Sequence, residues 1–209
     1  MSLLPFTHPF TSVIAGPTSS GKTVFVRKLL DLRSTHINPK PDSIIFYYTE
    51  WQPIYNEIKG VTFKKEVPQL EDFTGEKKTL IIVDDMMNEC RLGNFFTKGS
   101  HHRNLSVIFI VQNLFNRGRD QRTINLNCQY LILFKNPRDI LQIEYLGRSI
   151  MGREFHDFVS AYKSATSNAF GYLLVDLKQE TPDNIRLRTY ILNDHPLDRR
   201  YIGVYYPIE

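Results

Sequence analysis

A chain of 209 residues is long enough for one large domain with a twisted sheet covered by helices on both faces. Its 42% apolar and 23% charged residues are ordinary for a globular protein, and no apolar run approaches the roughly 18 residues of a membrane span, so no membrane association is expected. A net charge of +4 and a pI near 9.0 admit an anionic partner without requiring one, while two cysteines (Cys90 and Cys128) without metal-like spacing argue against a disulfide framework and point to a reduced compartment.

Residues 1–8 carry neither a basic n-region nor an apolar h-region, so no signal peptide is expected and the location predicted is intracellular. Ser12, Val13, Ile14 and Ala15 read as a short buried strand. Directly behind them Gly16, Pro17, Thr18, Ser19, Ser20, Gly21, Lys22 and Thr23 spell G-x-x-x-x-G-K-[ST]. Residues 23–32 then place Phe25, Leu29 and Leu32 at i, i+4 and i+7, one face of an amphipathic helix. Strand, Gly-rich turn and helix together offer backbone N–H groups and a helix N-terminus to the β- and γ-phosphates of a nucleotide. Lys22 can then reach the phosphate oxygens as a point charge, and the Thr23 hydroxyl can ligate Mg²⁺. The motif in this setting predicts binding of a nucleoside triphosphate, taken as ATP with Mg²⁺. Because it starts at residue 16, no domain is expected ahead of it.

Residues 43–49 are a second β-rich run, set off by a loop with Pro39 and Pro41. Residues 52–60 are expected to be helical with Pro53 near the first turn, and 64–78 form a charged connection. Residues 79–83, 105–111 and 130–134 are continuous apolar runs without polar alternation, as suits strands buried on both faces of a parallel sheet. Helices are expected at 86–97, 137–150 and 152–165, and two late strands at 170–177 and 185–191 around a turn at 181–184. The alternation gives an α/β doubly wound fold with a mostly parallel sheet flanked by helices and its ligand site at the carboxyl ends of the strands. Residues 1–193 are expected to form a single P-loop ATPase domain, and 194–209 a C-terminal tail that packs on its own domain or docks on another chain.

A P-loop that hydrolyses its nucleotide needs a metal carboxylate and a group that orients water. Asp84 follows four apolar residues at a strand end, which makes it the expected Walker B acid, holding Mg²⁺ together with Thr23; a helix N-cap is its structural alternative. The general base is open between Asp85, Glu50 and Glu89, with Asp85 favoured because it follows Asp84 directly. Gln112 closes the 105–111 run, where a neutral amide can bridge the γ-phosphate and the lytic water. Beyond it, residues 116–122 hold three arginines and a glycine. Arg119 and Arg122, then Arg117, are the candidates for an arginine finger donated across a subunit boundary, against the plainer reading of a solvated basic loop.

With these residues assembled, the chain resembles the packaging ATPases of the FtsK–HerA division of P-loop proteins, in particular the branch found in polintons, virophages and poxviruses. The likeness rests on residues 8–23, 80–86 and 96–115 and spans about residues 8–150. It implies a P-loop NTPase of the ASCE/RecA-like kind, with a strand inserted between the P-loop and Walker B strands and Gln112 as its sensor. It also implies a homo-oligomeric ring, pentamer or hexamer, with ATP at the subunit interfaces, double-stranded DNA threading the centre without sequence preference, and a capsid protein as a further partner. Residues 98–104 are a candidate DNA-facing loop in such a ring. One departure stands out: relatives often carry Glu directly after the Walker B Asp, where this chain has Asp85, a methylene shorter. The expected function is ATP-driven DNA translocation into a capsid. The rivals are a small-molecule P-loop kinase, whose lid arginines would be Arg148 and Arg153, and a nucleotide-regulated assembly or switch protein that ignores DNA.

Overall fold

The computed structural model describes residues 6–86, 92–99, 102–114, 121–138, 140–194, 197 and 202–205; Glu89, Cys90, His101, Arg117 and Arg119 lie outside these. Its strands are β1 (Phe6–Thr7), β2 (Thr11–Ala15), β3 (Ile37–Asn38), β4 (Ser43–Tyr48), β5 (Thr62–Lys64), β6 (Thr79–Asp84), β7 (Leu105–Val111), β8 (Tyr130–Phe134), β9 (Tyr172–Asp176), β10 (Leu187–Thr189) and β11 (Gly203–Tyr205). The helices are α1 (Lys22–Asp31), α2 (Arg33–His36), α3 (Gln121–Asn127), α4 (Ile140–Met151) and α5 (Phe155–Ala165).

β1 and β3 pair apart from the rest, and the other strands form one sheet in the order β11-β10-β9-β8-β2-β7-β6-β4-β5. From β8 to β5 every pairing is parallel, and β9, β10 and β11 extend that sheet antiparallel. β7 lies between β2 and β6, in register with Ala15 opposite Val111 and Asp84 opposite Ile110. The ends of these three strands therefore share one edge of the sheet, where the loop at 16–21, Asp84 and Gln112 meet.

The continuous apolar runs divide by alternation between two cores. Val107, Phe109 and Val111 of β7 face one side with Ile81, Val83, Leu131 and Leu133, and are covered by Ile143, Phe158 and Ala161 of α4 and α5 and by Phe95 and Phe96. Ile108 and Ile110 face the other with Ile14, Ile82 and Ile132, beneath Phe25, Val26, Leu29 and Leu30 of α1. Each such side chain fully withdrawn from water stabilises the fold by about 1.5–3 kcal/mol. The α1 face thus fixes the helix whose N-terminus the loop enters.

Three local readings change. Residues 52–60 hold only a 3-10 helix at Pro53–Glu57. Tyr55 within it and Ile58 just after it are buried, and Gly60 at φ 71 ends the segment. An unexpected three-residue edge strand, β5, ends where the charged connection starts and pairs β4. Of the helix expected over 86–97, the described residues 93–99 are helical, Gly93 and Asn94 as α-helix and Phe95–Gly99 as a π-helical turn. At the far edge Gly203–Tyr205 pairs antiparallel with β10, Leu187 opposite Tyr205. Among the described residues no helix is long and apolar enough to cross a membrane.

Candidate functional site

The loop leaving β2 is held by the strand beside it: the Gly16 N–H donates to the Val111 carbonyl at 3.2 Å. A side chain at Gly16 would meet Phe134 Cβ at 2.7 Å, so the close approach of loop and β8 requires glycine there. Pro17 and Ser20 close a turn through a 3.2 Å backbone bond. Ser19 (φ 64) and Gly21 (φ 104) take left-handed backbone, which swings the chain into α1. Gly21 caps that helix with no side-chain hydrogen bond, and no acidic residue occupies its first turn. The N-terminal N–H groups and the positive end of the helix dipole are therefore uncommitted and face the loop, a ready anion site.

The Lys22 ammonium folds back and donates to the carbonyl oxygens of Gly16 (2.7 Å) and Pro17 (2.9 Å). Burial pulls its pKa below the usual lysine value, against the opposing pull of Asp84 and Asp85. Asp84, the last residue of β6, is buried, and its Oδ2 accepts a 2.8 Å hydrogen bond from the Tyr55 hydroxyl. Burial pushes the Asp84 carboxyl above the usual carboxylate range, with the Tyr55 bond and the Lys22 charge holding it back. The same burial, reinforced by the Asp84 charge, raises the Tyr55 phenol, so Tyr55 is a firm donor. Asp85 is exposed and left-handed at φ 56, and its N–H donates to Ile110. Its Oδ2 accepts from the Gln112 side-chain amide at 3.0 Å, which joins the ends of β6 and β7 across the sheet edge.

Thr18, Ser19, Lys22, Thr23, Gln52, Asp84, Asp85 and Gln112 line one cleft of ≈ 140 Å³ at this edge. A hard divalent cation such as Mg²⁺ takes oxygen ligands and keeps several waters. Thr23 and Asp84, which both line the cleft, carry such oxygens, so the residues present fit the ion. Gly16, Pro17, Ser20 and Gly21 complete the loop behind it.

Other predicted residues lie elsewhere. Glu50 is exposed and paired with Lys65 at 3.5 Å, away from the cleft lining. Arg122, expected in a basic loop, is exposed on the helix α3 and does not line the cleft. The Arg148 guanidinium sits 3.6 Å over the Phe155 ring, which engages it at the α4–α5 junction; Arg153 is exposed in the 3-10 turn between those helices. In the candidate DNA-facing stretch, Arg103 turns inward to the Leu70 and Phe73 carbonyls at 3.2 and 2.6 Å, leaving Lys98 and His102 exposed.

Sequence reasoning missed Tyr55 and Gln52. Both belong to the segment beyond the carboxyl end of β4, tied to α1 by the Arg27–Glu57 ion pair and seated in a cluster of rings. The dense aromatic run Tyr47, Tyr48, Trp51, Tyr55, which starts at the end of a strand and continues past it, was the available signal.

No family model and no curated protein matches the chain. Among solved structures, the genome packaging NTPase B204 from Sulfolobus turreted icosahedral virus 2, in complex with ATP-gammaS, aligns over 96% of this chain and 98% of that one, with 13% identity and a TM-score of 0.55. The flagellar accessory protein FlaH from Methanocaldococcus jannaschii aligns over 98% of this chain and 92% of its own, with 14% identity and a TM-score of 0.48. The fold is that of a P-loop NTPase, of the ASCE type. In this fold the strand β7 stands between the loop-bearing strand β2 and the acid-bearing strand β6, the inserted strand that the resemblance implied.

Proposed function

We propose that the chain is an ATP-hydrolysing, DNA-translocating ATPase that works as a homo-oligomeric ring and packages a viral or virus-like genome into a capsid. The observation that carries the reading is the convergence of Lys22, Thr23, Asp84, Asp85 and Gln112 on one cleft at the end of three adjacent parallel strands. The loop N–H groups cradle the β- and γ-phosphates, and Lys22 exchanges the Gly16 and Pro17 carbonyls for phosphate oxygens. Thr23 and Asp84 hold Mg²⁺, which neutralises phosphate charge when bound. Asp85 and Gln112, already joined by a hydrogen bond, orient the attacking water, and Asp85 takes its proton. Glu50 is exposed and not among the residues that line the cleft, which favours Asp85 as the base.

Translocation and packaging draw support from the motif resemblance over residues 8–150 and from the end-to-end likeness to a packaging NTPase. The engagement of Arg148 on Phe155 weighs against a mobile kinase lid. The test is steady-state ATPase rate per subunit against protein concentration, with and without long double-stranded DNA. A rate rising with both is expected; a rate flat in both would remove the ring-motor reading and turn the search to a phosphoryl acceptor.

A further inference from the structure

Across the P-loop from Asp84 and Gln112, a single aromatic side chain stands out. Phe170 joins α5 to β9 and is 69% exposed, with its backbone left-handed at φ 61. Left-handed backbone is uncommon for a bulky residue and strained, and a mostly exposed phenyl ring gains little from burial to offset it. The turn that imposes this is built closely: the Gly171 N–H donates to the Asn168 carbonyl at 3.1 Å, and a side chain at Gly171 would lie 2.5 Å from the Ala165 carbonyl. Phe170 reaches the P-loop itself. A Cβ placed on Gly21 would be 3.2 Å from its Cδ1 and 3.3 Å from its Cβ.

The direction of a bound nucleotide follows from the sheet. β2 has β7 on one side and β8 on the other, and β8 is followed by β9, with Phe134 opposite Tyr172. Asp84, Asp85 and Gln112 stand on the β7 side, which is the γ-phosphate end under the function proposed above. A triphosphate threaded through the loop from that end emerges toward β8 and β9, beside Phe170. The geometry points to Phe170 as a stacking platform for the base of the bound nucleoside triphosphate, a purine in preference to a pyrimidine because of its larger ring face. This inference rests on the nucleotide-site reading. It accounts for a strained, exposed ring fixed against the P-loop, since the base covers it in the bound state.

The test compares ATP with inorganic tripolyphosphate, which carries the phosphates and no base, by titration calorimetry on the full chain with Mg²⁺. Wild type should bind ATP more tightly than tripolyphosphate. Phe170→Ala should lose about tenfold in ATP affinity, the size of one base–aromatic stack, and nothing for tripolyphosphate. Phe170→Gly, which relieves the left-handed strain, should show the same selective loss with an unfolding midpoint no lower than that of Phe170→Ala. Phe170→Trp in a Trp51→Phe background should keep ATP affinity, its indole emission quenched by ATP and not by tripolyphosphate. Equal losses for both ligands, or no loss for ATP, would overturn the platform. Unchanged ATP affinity with weakened self-association would reassign Phe170 to a subunit contact. A wild type that binds neither ligand would bring down the nucleotide site itself.

Discussion

Tyr55 and Asp84, 29 residues apart in the chain, meet in a buried 2.8 Å hydrogen bond in which the phenol donates to the carboxylate. One oxygen of Asp84 is thereby fixed while the carboxylate borders the cleft, so Tyr55 sets how the acid is presented. Rings of Phe46, Tyr48, Trp51 and Phe63 surround Tyr55 within 6 Å between centroids and hold the phenol in place.

Tyr55→Phe keeps the ring and deletes the donor. Outer partners of a metal-binding carboxylate typically contribute 10–100-fold to metal affinity or activity. Turnover is therefore expected to fall by about tenfold or more and the Mg²⁺ requirement to rise, with ATP affinity measured without metal unchanged. A Mg²⁺ titration of the ATPase rate checks this; a wild-type Mg²⁺ dependence would reduce Tyr55 to a packing residue.

Asp84→Asn removes a buried charge whose pKa burial raises above its ordinary 3.8. In the window from that value up to the raised one, the folded chain keeps a proton that the unfolded chain has lost, so stability falls as pH rises through it. The asparagine has no such titration. The nucleotide-free variant should match wild type below this window and unfold at a higher temperature at neutral pH, while losing Mg²⁺-dependent hydrolysis. Thermal melts at a series of pH values test the sign: a variant less stable than wild type at pH 7 would contradict the burial account.

How far the sequence was legible depended on where each stabilising contact lies. Residues 79–83, 105–111 and 130–134 announce buried parallel strands because both their faces are covered, and the glycines of the loop announce a tight strand-to-helix turn. The edge strand Thr62–Lys64 and the single 3-10 turn at Pro53–Glu57 are too short to carry a period, so neither shows in the pattern. Arg122 was read with its basic neighbours as loop, yet the residues after it continue as helix to Asn127. At the site, Lys22, Asp84 and Gln112 could be placed together because each ends or follows a recognisable strand. Tyr55 could not, since it reaches Asp84 only through the tertiary return of the segment after β4.

The 3.0 Å bond between Gln112 and Asp85 makes the two a unit at the mouth of the cleft. Positioned acid–base groups contribute typically 10²–10⁴-fold. Asp85→Asn should retain ATP binding and lose hydrolysis by at least about 100-fold, and Gln112→Ala should lose a comparable share. If both act on one water, the double variant will be little worse than Asp85→Asn alone. Fully additive losses in single-turnover assays would separate their roles, and an active Asp85→Asn would move the base to Glu50 or Glu89.

No arginine is among the described residues that line the cleft, and Arg122 projects from α3 outside it. Charge developing on the γ-phosphate is nonetheless what a guanidinium stabilises, by 10³–10⁵-fold where an arginine finger operates. In a ring the neighbour can supply it, from Arg119 or Arg122. A Lys22→Ala subunit cannot hold nucleotide productively but still offers its arginines, whereas an Arg119→Ala subunit has an intact cleft and no finger. Each alone should be inactive. Mixed, an interface that joins the Arg119→Ala cleft to the Lys22→Ala arginine is complete, so activity should reappear and peak near equal proportions. The same mixing with Arg122→Ala decides between the two arginines. Rings shown by mass to be mixed, yet without rescue for either variant, would exclude both as fingers in trans.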